Sequence, residues 1–253
     1  MDTSHKLSAA EATGYGFIPT IVLIILSAIL KIIQLYKKRH TLEKMKFQHP
    51  FTCIVSGPSG CGKSSLVKDI ISQDAIEPKP THMLWLFAED QPLYRSGLPQ
   101  VKFQKGLPED LESKFSPSNR NLLIIDDLMT EAHSDQRLTK LFSVGSHHRN
   151  LSIIFIIHNL FHYGKEMRTL SLNTHYIILF KNPRDYLQIA TLARQMYPGK
   201  SQFLIEAFGD ATKLPHGYLV IDLKPDTEDK LRIRTRTLPS DKTIFYVQKT
   251  ADD

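Results

Sequence analysis

The stretch that decides the fold reads Gly57-Pro58-Ser59-Gly60-Cys61-Gly62-Lys63-Ser64, and it fits the phosphate-loop (Walker A) pattern GxxxxGK[ST] without a gap. Glycines allow such a loop to turn tightly, so that its backbone N–H groups surround a phosphate. The lysine reaches the β- and γ-phosphates, and the serine hydroxyl is placed to bind Mg²⁺. We therefore predict that Gly57 to Ser65 bind a nucleoside triphosphate, with Lys63 as a catalytic residue and Ser64 as a metal ligand.

The residues on both sides of the loop support this interpretation. Residues 51–56 are β-branched and apolar, as in a buried strand, and residues 65–71 have apolar positions at helical spacing. Strand, glycine-rich loop and helix is the order in which the motif binds phosphate, because the positive end of the helix then faces the anion. A chance Gly/Ser loop would not have these flanks.

Further apolar runs predict the rest of the fold. We expect strands at 83–88, 101–103, 121–127, 151–159 and 176–180, and helices at 136–146, 166–170 and 184–196. Alternating strands and helices predict an α/β fold with a mostly parallel central sheet, covered on both faces.

Two regions depart from this alternation. Short strands predicted at 216–223, 231–237 and 244–248 would be C-terminal β additions at one edge of the sheet. The segment 89–118 is rich in proline, glycine and charge, so we expect an insertion over the nucleotide pocket or between neighbouring subunits.

The predicted strand 121–127 ends in a pair of acids, Asp126 and Asp127 (the Walker B motif). Ligands of open α/β sheets bind beyond the carboxyl ends of the strands, which places both acids near the phosphates. A carboxylate there holds Mg²⁺, so Asp126 is the second predicted metal ligand. Asp127, beside it, is predicted to polarise the attacking water. A strand-terminal turn, where Asp is common, is the alternative for such a pair taken alone.

Two further groups of residues are candidates for the hydrolytic step. His158 and Asn159 end the strand expected beside Asp126, where either side chain could hydrogen-bond the γ-phosphate as a sensor. A cation should also meet the γ-phosphate, and Arg168 is the first candidate and Arg149 the second. The histidines at 147, 148, 158 and 162 span separate elements, which argues against a zinc site.

Composition adds little beyond the class of partner. The 253 residues are enough for one α/β domain, and the formal net charge of +6 suits a polyanion or an anionic membrane. The two cysteines, Cys53 and Cys61, are poorly placed for a structural disulfide, which favours a reducing compartment.

The N-terminal region contains an apolar run, FIPTIVLIILSAILKIIQLY, at residues 17–36. Its length suits a single membrane span, and Lys31 lies close enough to one end to reach the interface. The basic residues that follow place the rest of the chain on the cytoplasmic side. We expect a tail at 1–16, a transmembrane helix at 17–36, a basic linker at 37–50 and an ATPase domain at 51–253. A buried or partner-binding helix is the alternative.

Four segments together carry a resemblance to a family: GPSGCGKSSLV, LLIIDDLM, HHRNLSIIFIIHNLF and MRTLSLNTHYIILFKNPRD. They resemble the DNA-packaging ATPases of the FtsK–HerA superfamily, in the branch of poxviruses, other large eukaryotic DNA viruses and Polinton/Maverick elements. The resemblance covers Phe47 to Pro198. In that family a Gln–Asn pair usually ends the sensor strand, whereas this chain has His158-Asn159.

The resemblance implies a RecA/FtsK-like P-loop NTPase fold with ATP and Mg²⁺ as cofactors. It implies a homo-oligomeric ring, often hexameric, that drives double-stranded DNA of any sequence into a preformed capsid, with portal or vertex proteins as further partners. Two other functions remain open from the residues: a small-molecule phosphotransferase, and a membrane-tethered regulatory NTPase. The chain has no arginine-rich lid for the first and no guanine-reading motif for the second.

Overall fold

A computed structural model describes residue 22 and residues 25–33, 45–95, 98–128, 149–160 and 171–249 of the chain. The chain divides into two units, Met1–Met45 and Lys46–Asp253.

The described residues of the second unit contain eleven strands, with helices between them. The strands are β1 (Phe47–Gln48), β2 (Thr52–Ser56), β3 (Ile76–Glu77), β4 (His82–Phe87), β5 (Val101–Lys105), β6 (Asn121–Asp126), β7 (Leu151–Ile157), β8 (Tyr176–Phe180), β9 (Tyr218–Asp222), β10 (Ile233–Thr235) and β11 (Ile244–Tyr246). The described α-helices of this unit are α1 (Lys63–Ser72), α2 (Leu187–Met196), α3 (Ser201–Ala211) and α4 (Asp229–Arg232), and short 3₁₀ turns lie at Pro92–Arg95 and Leu111–Lys114.

Nine strands form one sheet in the order β11-β10-β9-β8-β2-β7-β6-β4-β5. The part from β8 to β5 is parallel throughout, whereas β9, β10 and β11 add antiparallel to the β8 edge. The predicted α/β class, the mostly parallel sheet and the C-terminal β additions are therefore confirmed. β1 and β3 pair separately as a small parallel ladder.

The sheet is apolar on both faces because a helical layer covers each of them. Leu123 and Ile125 of β6 pack into the core that contains residues of α2 and α3. Their neighbours Leu122 and Ile124 point to the opposite face and join the core that contains residues of α1. Alternate residues of a strand face opposite sides, so burial on both sides requires a continuous apolar run.

The C-terminal addition is fastened by a buried ion pair. Arg234 of β10 donates to the Asp222 carboxylate at 3.1 Å, and the two side chains are 2% and 3% exposed. Asp222 also accepts hydrogen bonds from the Thr227 hydroxyl and the Lys224 backbone N–H. These bonds join β9 to β10 and to the turn that connects them.

Three parts of the structure differ from the sequence-based expectation. Residues 46–50, expected in the linker, pack with the second unit, where Phe47 is 1% exposed. The segment 89–118, expected as an insertion, contributes β5 to the sheet edge and buries Leu111 and Phe115. No helix was predicted at Ser201–Ala211, although Leu204, Ala207 and Phe208 are buried at helical spacing.

Half of the predicted transmembrane segment lies outside the described residues. Of residues 17–36, the structure describes residue 22 and residues 25–33, which are helical. Within this described part of the chain, no helix has both the length and the apolar composition that crossing a membrane requires. The helices predicted at 136–146 and 166–170 also lie outside the described residues.

We expect Arg234→Met to lower the free energy of unfolding by roughly 3–5 kcal/mol, because the Asp222 carboxylate would stay buried without its cation. Urea denaturation of the purified protein measures this loss. The matched control is Lys230→Met, which removes a surface ion pair with Glu228 and should change stability by less than about 0.5 kcal/mol. Equal stability of the two variants would contradict the anchoring role of Arg234.

Candidate nucleotide site

The phosphate loop connects the end of β2 to the start of α1, as the sequence predicts. Gly62 is the residue before the first turn of α1, with a φ of 104°. A Cβ atom built on Gly62 would lie 3.1 Å from Nδ1 of His216. The left-handed backbone therefore favours glycine here, and the close approach of His216 leaves little room for a Cβ atom.

Lys63 lies inside the loop, with its side chain almost fully buried. Its ammonium donates hydrogen bonds to the backbone carbonyls of Gly57, at 2.7 Å, and Pro58, at 3.0 Å. Burial lowers the pKa of Lys63, while the nearby Cys61, Asp126 and Asp127 act in the opposite direction. The loop thus holds the Lys63 ammonium among its own carbonyl groups. A phosphate oxygen bound in the loop would lie close to this positive charge.

The two predicted metal ligands meet at one carboxylate. The Ser64 hydroxyl donates to Oδ2 of Asp126 at 2.8 Å, and Asp126 is 3% exposed. Burial raises the pKa of Asp126, and hydrogen bonds from Ser64 and Tyr94 oppose this rise. A hydroxyl and a carboxylate at this distance are a donor set of hard oxygens, which fits Mg²⁺.

Tyr94 is a residue of the site that sequence reasoning missed. Its hydroxyl donates to the same Oδ2 atom of Asp126 at 2.9 Å. The ring is 8% exposed and stacks on Phe87 with centroids 4.4 Å apart. Burial, followed by the Asp126 charge, raises the pKa of Tyr94, so the hydroxyl stays protonated and remains a donor. Tyr94 lies in the Pro- and Gly-rich segment 89–118, where no sequence pattern predicts this contact.

Asp127 and His158 form a second pair at the carboxyl end of the sheet. Nε2 of His158, which follows β7, lies 2.9 Å from Oδ1 of Asp127, which follows the neighbouring strand β6. Asp127 has a φ of 57°, which turns the chain away from β6 directly after Asp126. The two consecutive acids therefore have different environments, Asp126 buried and Asp127 about half exposed.

His158 and Asn159, predicted as alternative sensors, point in different directions. His158 lines the cleft over the phosphate loop, whereas the Asn159 amide donates to Asp185 at 2.8 Å. The Gln188 amide donates to the same Asp185 oxygen at 2.9 Å, and Gln188 accepts from the backbone N–H of Leu160. This network joins the end of β7 to the segment Asn182-Pro183-Arg184-Asp185 and gives that segment a structural role.

Of the two arginine candidates, Arg149 lies among the described residues and Arg168 does not. The Arg149 guanidinium is occupied by Glu112, with 2.7 Å to its carbonyl and 2.9 Å to its carboxylate. Arg149 also precedes β7, at the amino edge of the sheet, opposite the phosphate loop. Arg168 and the histidines 147, 148 and 162 lie outside the described residues. The described residues contain no group of three His, Cys, Asp or Glu side chains that could hold a metal ion.

A cleft of about 590 Å³ brings these residues together, which is a common size for a small-molecule site. Its lining includes the phosphate loop and the catalytic candidates, namely Ser59, Gly60, Gly62, Lys63, Ser64, Ser65, Asp126, Asp127 and His158. The lining also includes Leu66 and Asp69 of α1, and His216, Tyr218 and Leu238 from the C-terminal part of the chain. The sequence had predicted the first group and not the second.

Comparison with known proteins finds similarity only at the level of structure. No protein-family model matches the sequence, and no curated protein matches it. The genome packaging NTPase B204 from Sulfolobus turreted icosahedral virus 2, in complex with ATP-γ-S, matches with 12% identity and a TM-score of 0.48. The match covers 78% of this chain and 96% of that chain.

A second similar structure is the cytoplasmic domain of the type VII secretion ATPase EccC from Thermomonospora curvata. It has 12% identity and a TM-score of 0.46, and the match covers 69% of this chain but 24% of that chain. At such identities the nucleotide bound by a neighbour is a property of that neighbour.

We expect Tyr94→Phe to weaken Mg²⁺ binding roughly tenfold or more, because Asp126 loses a donor that orients it. Titration of Mg²⁺ into the protein with a fluorescent ATP analogue measures this affinity. Thermal melting should change little, since the ring and its stacking on Phe87 are kept.

The matched control is Tyr246→Phe, which removes a similar hydroxyl-to-carboxylate bond, 2.7 Å to Asp210, outside the cleft. It should leave Mg²⁺ affinity unchanged. If both variants bind Mg²⁺ like the wild type, Tyr94 does not position Asp126.

Proposed function

We propose that this protein is an ATPase that translocates double-stranded DNA, and that its task is the packaging of a viral genome. The observation that carries the proposal is the convergence of two strand ends on one phosphate loop: Asp126 bonds to Ser64, while Asp127 and His158 pair beside it. A site that bound nucleotide without hydrolysing it would need no exposed carboxylate such as Asp127 next to the buried Asp126. The motif resemblance and the net charge of +6 support the DNA partner.

The proposed hydrolysis is electrostatic and positional. Lys63 supplies positive charge to the β- and γ-phosphates, and the loop N–H groups orient them. Ser64 and Asp126 would hold Mg²⁺, which neutralises phosphate charge when bound. Asp127 accepts a proton from, or orients, the attacking water, and the imidazole of His158 fixes the Asp127 carboxylate on one side.

His158 is the residue we propose as γ-phosphate sensor, in preference to Asn159. His158 lines the cleft and contacts Asp127, and so could register the phosphate and the water together. Asn159 is engaged by Asp185. For the cation that meets the γ-phosphate, we retain Arg168 from a neighbouring subunit of a homo-oligomeric ring, because Arg149 would have to leave Glu112.

The test is ATP hydrolysis by the full chain with and without double-stranded DNA of unrelated sequences. We expect DNA of any sequence to stimulate hydrolysis, because phosphate contacts carry no sequence information. Lys63→Ala and Asp126→Ala should reduce turnover to background. His158→Ala should lower kcat about 100-fold while ATP still binds, the size of effect seen when one transition-state donor is removed.

A matched control is Lys102→Ala, which removes an exposed cation of β5, outside the cleft, and should keep full turnover. Hydrolysis that ignores DNA in a verified oligomer would contradict the motor. Phosphate transfer to a small acceptor by a monomer would instead identify a kinase.

We further propose that residues 17–36 anchor the protein in a membrane, with the ATPase unit on the cytoplasmic side. The apolar run and the basic residues after it support this proposal. In a cell fractionation experiment, the full chain should stay in the membrane pellet after alkaline carbonate washing. Replacing Leu23, Ile25 and Leu26 by Asp should release it, and release of the wild type by carbonate would contradict the anchor.

A further inference from the structure

Trp85 is the only tryptophan of the chain, and it lies in β4, the strand next to the Asp126 strand. In the parallel ladder of β4 and β6, Trp85 pairs with Ile124 and Phe87 pairs with Asp126. Residues two apart in a strand point to the same face of the sheet. Trp85 therefore lies on the face that carries Asp126, in the core that contains residues of α1.

The indole ring is packed into an aromatic cluster, which consists of Trp85, Phe87, Tyr94 and Phe103. The Trp85 ring centroid lies 5.8 Å from that of Tyr94 and 5.6 Å from that of Phe103. The Tyr94 ring also stacks on Phe87 and lies 5.5 Å from Phe103. Trp85 itself is fully buried. Because close-packed rings cannot turn freely, the packing fixes the direction of the indole N–H group.

The indole N–H group is buried and has no hydrogen-bond partner within the described part of the chain. Leaving a buried donor unpaired costs about 1–3 kcal/mol. A purely apolar side chain would fill this part of the core without that cost. Packing alone therefore does not explain a tryptophan at position 85.

The polar group nearest to this donor in the argument is the Asp126 carboxylate. Burial raises the pKa of Asp126, and Ser64, Tyr94 and Trp85 oppose this rise. The Ser64 and Tyr94 hydroxyls both donate to Oδ2, at 2.8 Å and 2.9 Å. The indole N–H is thus close to the carboxylate without being bonded to it, and a carboxylate can accept more than two hydrogen bonds.

Metal binding would change what the carboxylate accepts. Ser64 and Asp126 form the donor set that fits Mg²⁺, so both would share oxygen lone pairs with the bound cation. Carboxylates that bind a metal are in turn held by hydrogen bonds from neighbouring groups, which set their orientation. Trp85 provides an unused donor of this kind on the same face of the sheet.

We propose that Trp85 is a positioning residue: its indole N–H donates to the Asp126 carboxylate when a divalent cation is bound there. The indole N–H and the Tyr94 hydroxyl then hold the carboxylate in the orientation that the cation requires. This inference rests on the proposed function, because it takes Ser64 and Asp126 as the metal ligands of the hydrolytic site.

The test removes the N–H group and keeps the ring. Because Trp85 is the only tryptophan, expression in a tryptophan auxotroph supplied with benzothienylalanine changes this position alone. In that analogue a sulfur atom replaces the N–H group and the shape is nearly the same. We expect the Mg²⁺ affinity of the full-length protein to fall roughly tenfold or more, measured by Mg²⁺ titration with a fluorescent ATP analogue.

The matched control is the protein that carries fluorotryptophan, which keeps the N–H group. It should bind Mg²⁺ within about twofold of the wild type, since the ring is nearly isosteric. ATP binding in the presence of EDTA should be the same in all three proteins, because the phosphate loop is untouched. Thermal melting should also change little.

Three results would overturn the role of Trp85: unchanged Mg²⁺ affinity with benzothienylalanine, an equal loss with fluorotryptophan, or an equal loss of ATP binding in EDTA. The failure of the proposed function would be different. In that case the wild type would bind Mg²⁺ with ATP and depend on the indole N–H, but would not hydrolyse ATP or respond to DNA. ATP binding by the wild type that Mg²⁺ does not affect would overturn both proposals.

Discussion

The 2.8 Å contact between the Ser64 hydroxyl and the Asp126 carboxylate is the constraint on which the rest of the site depends. These residues are distant in sequence and belong to α1 and to the end of β6. They meet because β7 alone separates β2 from β6, so that both chain segments leave the sheet at its carboxyl edge. The Tyr94 hydroxyl donates a further hydrogen bond to the Asp126 carboxylate. The position of Asp127 follows from that of Asp126, because the two residues are consecutive.

The C-terminal residues that line the cleft depend on a different interaction, the buried Asp222–Arg234 pair. That pair holds β10 to β9 and so fixes where the chain goes after Thr235. Tyr218 and Leu238 reach α1 only because these antiparallel strands extend the β8 edge. The parallel strands of the sheet therefore bring the catalytic groups together. The antiparallel strands at its edge place Tyr218 and Leu238 in the lining of the cleft.

How much could be predicted depended on whether a segment is buried on both sides. β6, β7 and β8 are continuous apolar runs, and their positions were predicted within two residues because every side chain is buried. β5 is an edge strand in which only Val101 is buried. Because most of its other residues are polar, the sequence pattern did not show that it belongs to the central sheet. Asn159 gave no sign that it would bind Asp185 rather than face the cleft, since that choice depends on how α2 packs against β7.

The sequence by itself determined the phosphate loop, the acid pair and the parallel sheet, because each rests on local residue types: glycines that turn, acids at a strand end, and runs that must be buried. Only the tertiary structure decided which side chains meet. It separated His158 from Asn159, bound Arg149 to Glu112 and brought Tyr94 to Asp126. It also folded the C-terminal strands back to Leu66 and Asp69. These contacts join residues far apart in the chain, and such distances are set by strand order and helix packing, which no local pattern encodes.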